Sequence, residues 1–204
     1  DYHELPYTYL YVAGDDVDTY HFTEDKSDSN QSSDYLSLIH VLDNKRMNQI
    51  GRHNSDLSKS WFEKNKGTDT MERLKNHLYN FFRNIRNDNS KDNLWTTFAE
   101  YKSLLQGRGY TRGFLPLNAR ATNDYCDRTS VAYIANRYMN PIIKNFFRSH
   151  GVTIDEDNYA LAEMLQFIWR SAIRNGEDVY VYVPSIRMRS LLENWINTNG
   201  NTQG

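Results

Sequence analysis

The fold is decided by the stretch Tyr159-Ala-Leu-Ala-Glu-Met-Leu-Gln-Phe-Ile-Trp-Arg-Ser-Ala-Ile-Arg-Asn-Gly176. Its apolar residues recur at steps of three and four, which is the spacing of a helix that packs one side against a core. These residues are Leu161, Met164, Leu165, Ile168, Trp169, Ala172 and Ile173. Asp155 and Asp157 suit the first turn of such a helix, and Gly176 supplies a left-handed stop. The stretch therefore predicts one amphipathic helix that ends at Gly176.

Three polar residues of this stretch share one side of the predicted helix. Gln166, Arg170 and Arg174 are each four residues apart, so they form a stripe away from the buried positions. Two guanidinium groups and an amide can together hold a polyanion, because each guanidinium offers a planar fork of donors to phosphate oxygens. The same spacing is also typical of a solvated helix face, and the pattern alone leaves both interpretations open.

Strand patterns flank this helix on both sides. The segment 178–184 alternates Val and Tyr before Pro184 and is the clearest strand in the chain, whereas 130–135 fits either a strand or a helix. Pro141 suits the first position of a further helix, and Ser185 suits the cap of a last one. Shorter strand patterns cover 7–13, ending at Gly14, and 113–117. Strands separated by helices predict an α/β domain with a largely parallel sheet, helices on both faces and ligands at the carboxyl ends of the strands.

The first half of the chain is dominated by helical patterns. Helices are predicted over 35–50, 55–65, 70–87 and 92–106, after an acidic, Ser- and Asn-rich loop over 15–33. In the fourth of these helices, we expect Leu94, Phe98, Tyr101 and Leu105 on the buried side. We therefore divide the chain into a strand with a helical insertion at 1–109 and the core of the same domain at 110–204.

Composition and charge narrow the functional classes. The 204 residues carry a formal net charge of −2, but residues 102–150 contain eight Lys or Arg against two Asp, which could direct a nucleic acid to this region. Cys126 is the only cysteine, which excludes an internal disulfide and a cysteine-based metal site and fits a reducing compartment. No apolar run approaches the roughly 20 residues that cross a bilayer. We expect a cytoplasmic protein with no membrane contact and no metal site of its own.

The order of these elements resembles the second RecA-like domain of superfamily 2 helicases. In those enzymes the loop called motif V reads like Ala-Thr-Asn, and the helix called motif VI reads Gln-x-x-Gly-Arg-x-x-Arg. This chain has Ala121-Thr122-Asn123 and Gln166-Phe-Ile-Trp169-Arg170-Ser-Ala-Ile-Arg174. The segment from Asn118 to Asp124, together with the same helix, more closely resembles the carboxyl-terminal part of helicase-like proteins of Gram-positive phages and mobile elements. Two departures stand out, since Trp169 replaces the Gly and Arg174 falls one residue later than the second Arg of the motif.

The resemblance implies a RecA-like parallel sheet and the carboxyl-terminal motor domain of an ATP-dependent DNA helicase or translocase. Arg170 would be an arginine finger that stabilises the transferring phosphoryl group, Arg174 a second contact, and Gln166 a residue that orients water or nucleotide. ATP and Mg²⁺ would be held mainly by an N-terminal RecA-like domain of the same protein. No Gly-x-x-x-x-Gly-Lys-Ser/Thr phosphate loop occurs in this chain, so we expect it to be inactive alone.

Contacts with nucleic acid, DNA above all, would come from two sets of residues. The resemblance assigns Thr122 and Asn123 to a backbone phosphate of the bound strand. The local positive charge suggests Arg112, Arg120 and Arg137 as further phosphate contacts. A protein of another class also fits the pattern: a non-catalytic module whose arginine stripe binds a protein or a nucleic acid, with the helices at 33–106 carrying specificity.

Overall fold

The computed structural model describes residues 11–16, 19–23, 35–119 and 124–200. Its strands are β1 Tyr11–Asp16, β2 Thr19–Thr23, β3 Ile39–Val41, β4 Asn93–Thr96, β5 Ser130–Tyr133 and β6 Val179–Tyr182. Its α-helices are α1 Lys59–Asn65, α2 Asp69–Asn80, α3 Lys102–Leu105, α4 Pro141–Ser149, α5 Glu156–Ile168 and α6 Ile186–Gly200. Single 3₁₀ turns lie at Met47–Gln49, Ala99–Tyr101, Thr111–Gly113 and Ala172–Asn175, and a π-helical turn, Phe81–Ile85, continues α2.

Four strands form the central sheet in the order β3-β6-β5-β4, and each neighbouring pair is parallel. Because every strand runs in one direction, all four carboxyl ends meet at one edge of the sheet. Helices separate the strands along the chain. The prediction of an α/β domain with a parallel sheet and flanking helices is therefore confirmed.

The strands are buried because helices cover the sheet. All four residues of β4 and all four of β5 are buried, as expected where a parallel sheet has both faces covered. From the helices, Met164, Phe167 and Ile168 of α5 and Leu74 and Leu78 of α2 join the same core. This core fixes α5 firmly, so the segments at its two ends have defined positions.

The segment 42–58 crosses the carboxyl edge of the sheet. It begins beside β6, where the Leu42 amide donates to the Val181 carbonyl at 2.8 Å. It then contacts the start of α6 at Gly51, whose carbonyl accepts from the Ile186 amide at 2.7 Å. It ends beyond β5, where the Leu57 carbonyl accepts from the Asn136 amide at 2.8 Å. This crossing segment forms one wall of the cleft described below.

Two of the helices predicted in the first half are wrong. Within 35–50 the chain forms β3, because the Leu38 carbonyl and the Leu42 amide bond to β6. Within 92–106 it begins as β4 and becomes helical only after Phe98. The four residues expected on the buried side of that helix are indeed buried, but they belong to β4, a loop, a 3₁₀ turn and the short helix α3.

Other expectations are confirmed in part. The helix predicted over 70–87 is present as α2 and its π-helical turn, Pro141 begins α4, and Val179–Tyr182 is a strand. The predicted strand at 113–117 is reduced to a single parallel bridge between Phe114 and Trp95. The loop expected over 15–33 is wrong for Thr19–Thr23, which pairs with β1 as an antiparallel hairpin, and β1 continues past Gly14.

The deciding helix is shorter than predicted. α5 ends at Ile168, Ser171 is extended with φ −88° and ψ −171°, and a separate 3₁₀ turn follows over Ala172–Asn175. Gly176 does adopt the predicted left-handed conformation, with φ 72°. Gln166, Arg170 and Arg174 therefore do not form one helical stripe. The sheet also takes β3 and β4 from residues before 110, so residues 1–109 contribute half of its strands.

Candidate functional site

A cleft of about 770 Å³ opens at the carboxyl edge of the sheet. One wall is the end of the crossing segment with the start of α1, and the other is the chain that follows β5. The lining residues are Ser55, Ser58, Lys59, Ser60, Phe98, Asn136, Arg137, Tyr138, Met139, Asn140, Pro141, Ile143 and Tyr159. Ligands of α/β proteins bind at the carboxyl ends of the strands, and a cleft of this volume is typical of ligand sites.

Asn136 joins the two walls of this cleft. Its side chain is buried, and its amide nitrogen Nδ2 donates to the carbonyls of Asn54 and Asp56 at 2.6 and 2.9 Å. Its Oδ1 accepts from Arg187 Nη1 at 2.9 Å. Leu57, between these carbonyls and α1, is held at a φ of 63°, a left-handed conformation that costs a non-glycine residue about 1–2 kcal/mol. The bonds of Asn136 hold this strained backbone in place.

Arg187 braces the same walls from the first turn of α6. Its Nη1 also donates to the Arg137 carbonyl at 2.7 Å, and its Nη2 pairs with Asp157 Oδ1 at 2.6 Å. The guanidinium lies over the Tyr138 ring at 4.4 Å. A cation in the first turn opposes the helix dipole, so its position depends on these acceptors. The arrangement ties the starts of α5 and α6 to the chain leaving β5.

Arg137 lies at the base of the cleft in a largely buried polar group. Its Nη2 donates to the Tyr159 hydroxyl at 3.1 Å and to Glu163 Oε2 at 3.0 Å. Burial by itself lowers the pKa of Arg137, but Tyr159, Tyr133 and Glu163 raise it, and the net shift is upward. Burial also raises the pKa of Tyr133, whose hydroxyl has no hydrogen-bond partner within the described part of the chain. Arg137 is thus a permanent cation whose Nη2 is engaged, while its Nε is buried without a partner among the described residues.

The segment carrying Arg170 lies at the opposite, amino edge of the sheet. The Ala172 amide donates to the Arg128 carbonyl at 2.9 Å, just before β5, and the Asn175 side chain donates to the Cys126 carbonyl at 2.8 Å. Arg170 Nη2 donates to the Ala119 carbonyl, while its Nη1 is buried without a partner among residues 11–16, 19–23, 35–119 and 124–200. Arg170 is therefore held half-buried against the loop that leads into β5.

Trp169 stands at the position where the motif that the sequence resembles has glycine. Its φ and ψ of −65° and −2° are right-handed, so this position needs no glycine. The ring is partly buried against the core and meets Trp195 of α6 edge to face at 5.8 Å. The inward packing expected for Trp169 is thus present, and it fixes the point at which α5 ends.

The other predicted site residues are not brought together. Gln166 and Arg174 are exposed, on α5 and on the following 3₁₀ turn. Arg112 is exposed beside Gly113, which packs on the first residue of β4, whereas Arg137 lies at the carboxyl edge. The predicted contacts Arg120, Thr122 and Asn123 lie outside the described residues. The roles of all these residues stay predictions.

Sequence reasoning missed Asn136 and Arg187, the two residues that hold the cleft together. Asn136 comes just after the buried strand β5, at the carboxyl edge of the sheet, where polar side chains often form a site. Arg187 is a cation in the first turn of α6, where the helix dipole disfavours positive charge. Both features are visible in the sequence and could have indicated this site. Within the described ranges, no group of three or more His, Cys, Asp or Glu could hold a metal ion, and no helix is long and apolar enough to cross a membrane.

Comparison with known proteins gives the chain a family. Residues 33–196 match the sequence profile of a family described as the YonV C-terminal Rossmann-like domain. The chain belongs to this family. It is 53% identical over 150 residues to the SPbeta prophage-derived uncharacterized protein YonV of Bacillus subtilis (strain 168), a match that covers 74% of this chain and 36% of that protein. No solved structure matches significantly.

The YonV C-terminal match includes all four strands of the parallel sheet and both edges described above. It agrees with the predicted α/β fold, and the prophage origin of the relative agrees with a phage-associated domain. All of the predicted site residues, from Arg112 to Arg174, lie within the matched range. The chain spans about a third of the length of that relative, so the activity of a whole YonV-like protein is a matter of proposal.

Proposed function

We propose that this YonV C-terminal domain is the carboxyl-terminal motor domain of an ATP-dependent DNA helicase or translocase. In this proposal Arg170 reaches an ATP and Mg²⁺ held mainly by an N-terminal RecA-like domain of the same polypeptide, in the cytoplasm. The bracing of Arg170 by the Ala119 carbonyl carries the proposal. Ala119 lies two residues before the motif V-like Ala121-Thr122-Asn123 in the sequence, so Arg170 bonds to the chain next to that segment.

The half-buried state of Arg170 suits the role of a finger. One terminal nitrogen is fixed on a carbonyl, and the other is withdrawn from water without a partner in the described part of the chain. A buried donor that lacks an acceptor costs about 1–3 kcal/mol, and an incoming phosphate oxygen would remove that cost. Arg174 is more exposed and would make the second contact, while Gln166 would orient water or nucleotide at the rim.

The test uses the full-length gene product with Arg170→Ala, Arg170→Lys and the exposed control Arg73→Ala. Loss of an arginine finger costs about 10³-fold or more in turnover, so we expect Arg170→Ala to abolish ATP hydrolysis stimulated by single-stranded DNA. Lys cannot reproduce the planar fork and should rescue little. The lost hydrogen bond should lower stability by about 1 kcal/mol, and Arg73→Ala should change neither quantity.

Two outcomes would refute the motor role. Normal ATP hydrolysis by the Arg170→Ala protein would assign this residue to structure alone. ATP turnover above background by the present chain alone, with contaminating enzymes excluded, would show that no second domain is required.

A further inference from the structure

Helix α4 presents an apolar surface that the described part of the chain leaves uncovered. None of its residues is buried, and Ile142, Phe146 and Phe147 are 78%, 58% and 39% exposed. Phe146 meets the Phe147 ring edge to face at 5.6 Å and lies 4.4 Å from the His150 ring. Exposed apolar patches of this kind mark interaction sites. Two aromatic rings, Phe146 and Phe147, belong to this one.

The segment that contains α4 carries charge of one sign in its own sequence, although Glu156 of α5 lies beside it. Residues 136–150 contain Arg137, Lys144 and Arg148 and no Asp or Glu. Lys144 Nζ bonds Glu156 Oε2 at 2.7 Å and so holds α4 against the start of α5. Arg148 is exposed and forms no ion pair with any described residue. The aromatic surface is therefore flanked by a cation available to an anionic ligand.

The carboxyl-edge cleft continues this surface. Ile143 of α4 lines it, and Phe98, Tyr138 and Tyr159 add aromatic walls. Lys59 stands at the rim with its side chain 62% exposed, and it pairs with the exposed Glu100 carboxylate at 2.7 Å, a surface bond that a phosphate can replace. Rings and cations thus alternate from the cleft along α4. Proteins that bind single-stranded nucleic acid combine these two features, because bases stack on the rings while the cations meet the phosphates.

We propose that α4 and the adjoining cleft bind single-stranded nucleic acid. Bases stack on Phe146 and Phe147, and phosphates contact Arg148 and Lys59. An unpaired strand fits better than a duplex, whose bases are already stacked on each other. A nucleic-acid strand also accounts for the absence of acidic residues over 136–150, because carboxylates would repel its phosphates. An apolar protein partner would not require that absence. The inference rests on the nucleic-acid partner of the proposed function and adds a surface that neither motif-like segment contains.

The experiment measures binding of a fluorescein-labelled oligothymidylate of about 20 nucleotides to this chain by anisotropy. Phe146→Leu and Phe147→Leu keep apolar volume but remove the ring face, and each should weaken binding about tenfold. Arg148→Gln should reduce the slope of log affinity against log salt by about one. Tyr79→Leu, the matched control, removes a 44% exposed ring of α2 outside this surface and should change affinity by less than about twofold. Ile142→Ala, at the most exposed apolar side chain of α4, should weaken binding less than either Phe variant. Thermal melts confirm that each variant is folded.

Three results would overturn the inference. The wild-type chain does not bind the oligonucleotide, or the Phe variants bind it normally, or Ile142→Ala weakens binding as much as Phe146→Leu, which would indicate an apolar protein-docking surface. These results are separate from the ATPase test. If the Phe variants bind the oligonucleotide normally and Arg170→Ala abolishes ATP hydrolysis, this surface is refuted and the motor role stands. If the Phe variants bind weakly and Arg170→Ala hydrolyses ATP normally, the surface stands and the motor role is refuted.

Discussion

Asn136→Ala should destabilise this domain far more than its small size suggests. The substitution removes two bonds from Nδ2, to the Asn54 and Asp56 carbonyls, and one bond from Arg187 to Oδ1. Two neutral bonds contribute about 1 kcal/mol each and one bond to a charged donor about 1.5–3 kcal/mol. The expected loss is therefore about 4 kcal/mol, which lowers the melting temperature of a chain of this length by about 8–16 °C.

Urea unfolding followed by tryptophan fluorescence measures this loss, since Trp95 is fully buried and reports on the core. The matched control is Asn140→Ala, which removes an exposed cap whose Oδ1 accepts from the Ile142 amide at 2.9 Å. A lost cap costs about 1 kcal/mol. If Asn136→Ala cost no more than Asn140→Ala, the cleft walls would not depend on Asn136, and the reasoning about the crossing segment would fail.

Two further predictions concern the same edge of the sheet. Gly51→Ala should lower stability by about 3 kcal/mol in the same unfolding assay, because its Cβ would lie 2.1 Å from the Pro184 carbonyl oxygen, and Gly200→Ala, with no atom within 4 Å, should not. The bond from Lys144 holds the pKa of Glu156 below its ordinary value, so this carboxylate stabilises the fold above about pH 4.5 and loses that contribution as the pH falls through its lowered pKa. Urea midpoints of wild type and Glu156→Gln should therefore differ near neutral pH and converge in acid; a difference that persists at about pH 2–3 would contradict this assignment.

The parallel sheet could be predicted from the second half of the chain, but the two strands that the first half contributes to it could not. The Val and Tyr alternation of β6 and the Pro at the start of α4 are local signals, and both are confirmed. β3 has only three residues, and its pairing with β6 lies 140 positions away in sequence at Ile39 and Val179. Local periodicity carries no information about such a contact. The run of β-branched and apolar residues Leu94-Trp95-Thr96-Thr97-Phe98, which begins in β4, is typical of a buried strand. The spacing of Leu94, Phe98, Tyr101 and Leu105 also fits a helix by chance.

The break after Ile168 could not be predicted from helix periodicity either. Residues 169–174 keep the apolar spacing of α5, but Trp169 packs against Trp195, and the Ala172 amide bonds to the Arg128 carbonyl instead of continuing the helix. Trp195 and Arg128 are both distant from this segment in sequence, so local spacing could not reveal these contacts. The role that the motif resemblance implies for Arg170 stays a prediction, since the single helix that would have carried Gln166, Arg170 and Arg174 is absent. The cleft was missed because its walls come from segments about 80 residues apart, which Asn136 and the carbonyls of Asn54 and Asp56 connect.

The two edges of the sheet connect the proposals physically. α5 has 13 residues and is therefore about 20 Å long. It begins beside the cleft and ends just before the segment that carries Arg170. At its first turns Tyr159 and Glu163 hold Arg137, and just past its last turn Arg170 holds Ala119. A ligand at either edge would therefore contact residues held by the same helix, whose inner face packs in the core, but no described side chain contacts both edges. In the proposed motor, communication between nucleic acid and nucleotide would thus require movement of α5 with the sheet as one body, since side-chain contacts alone do not connect the two edges.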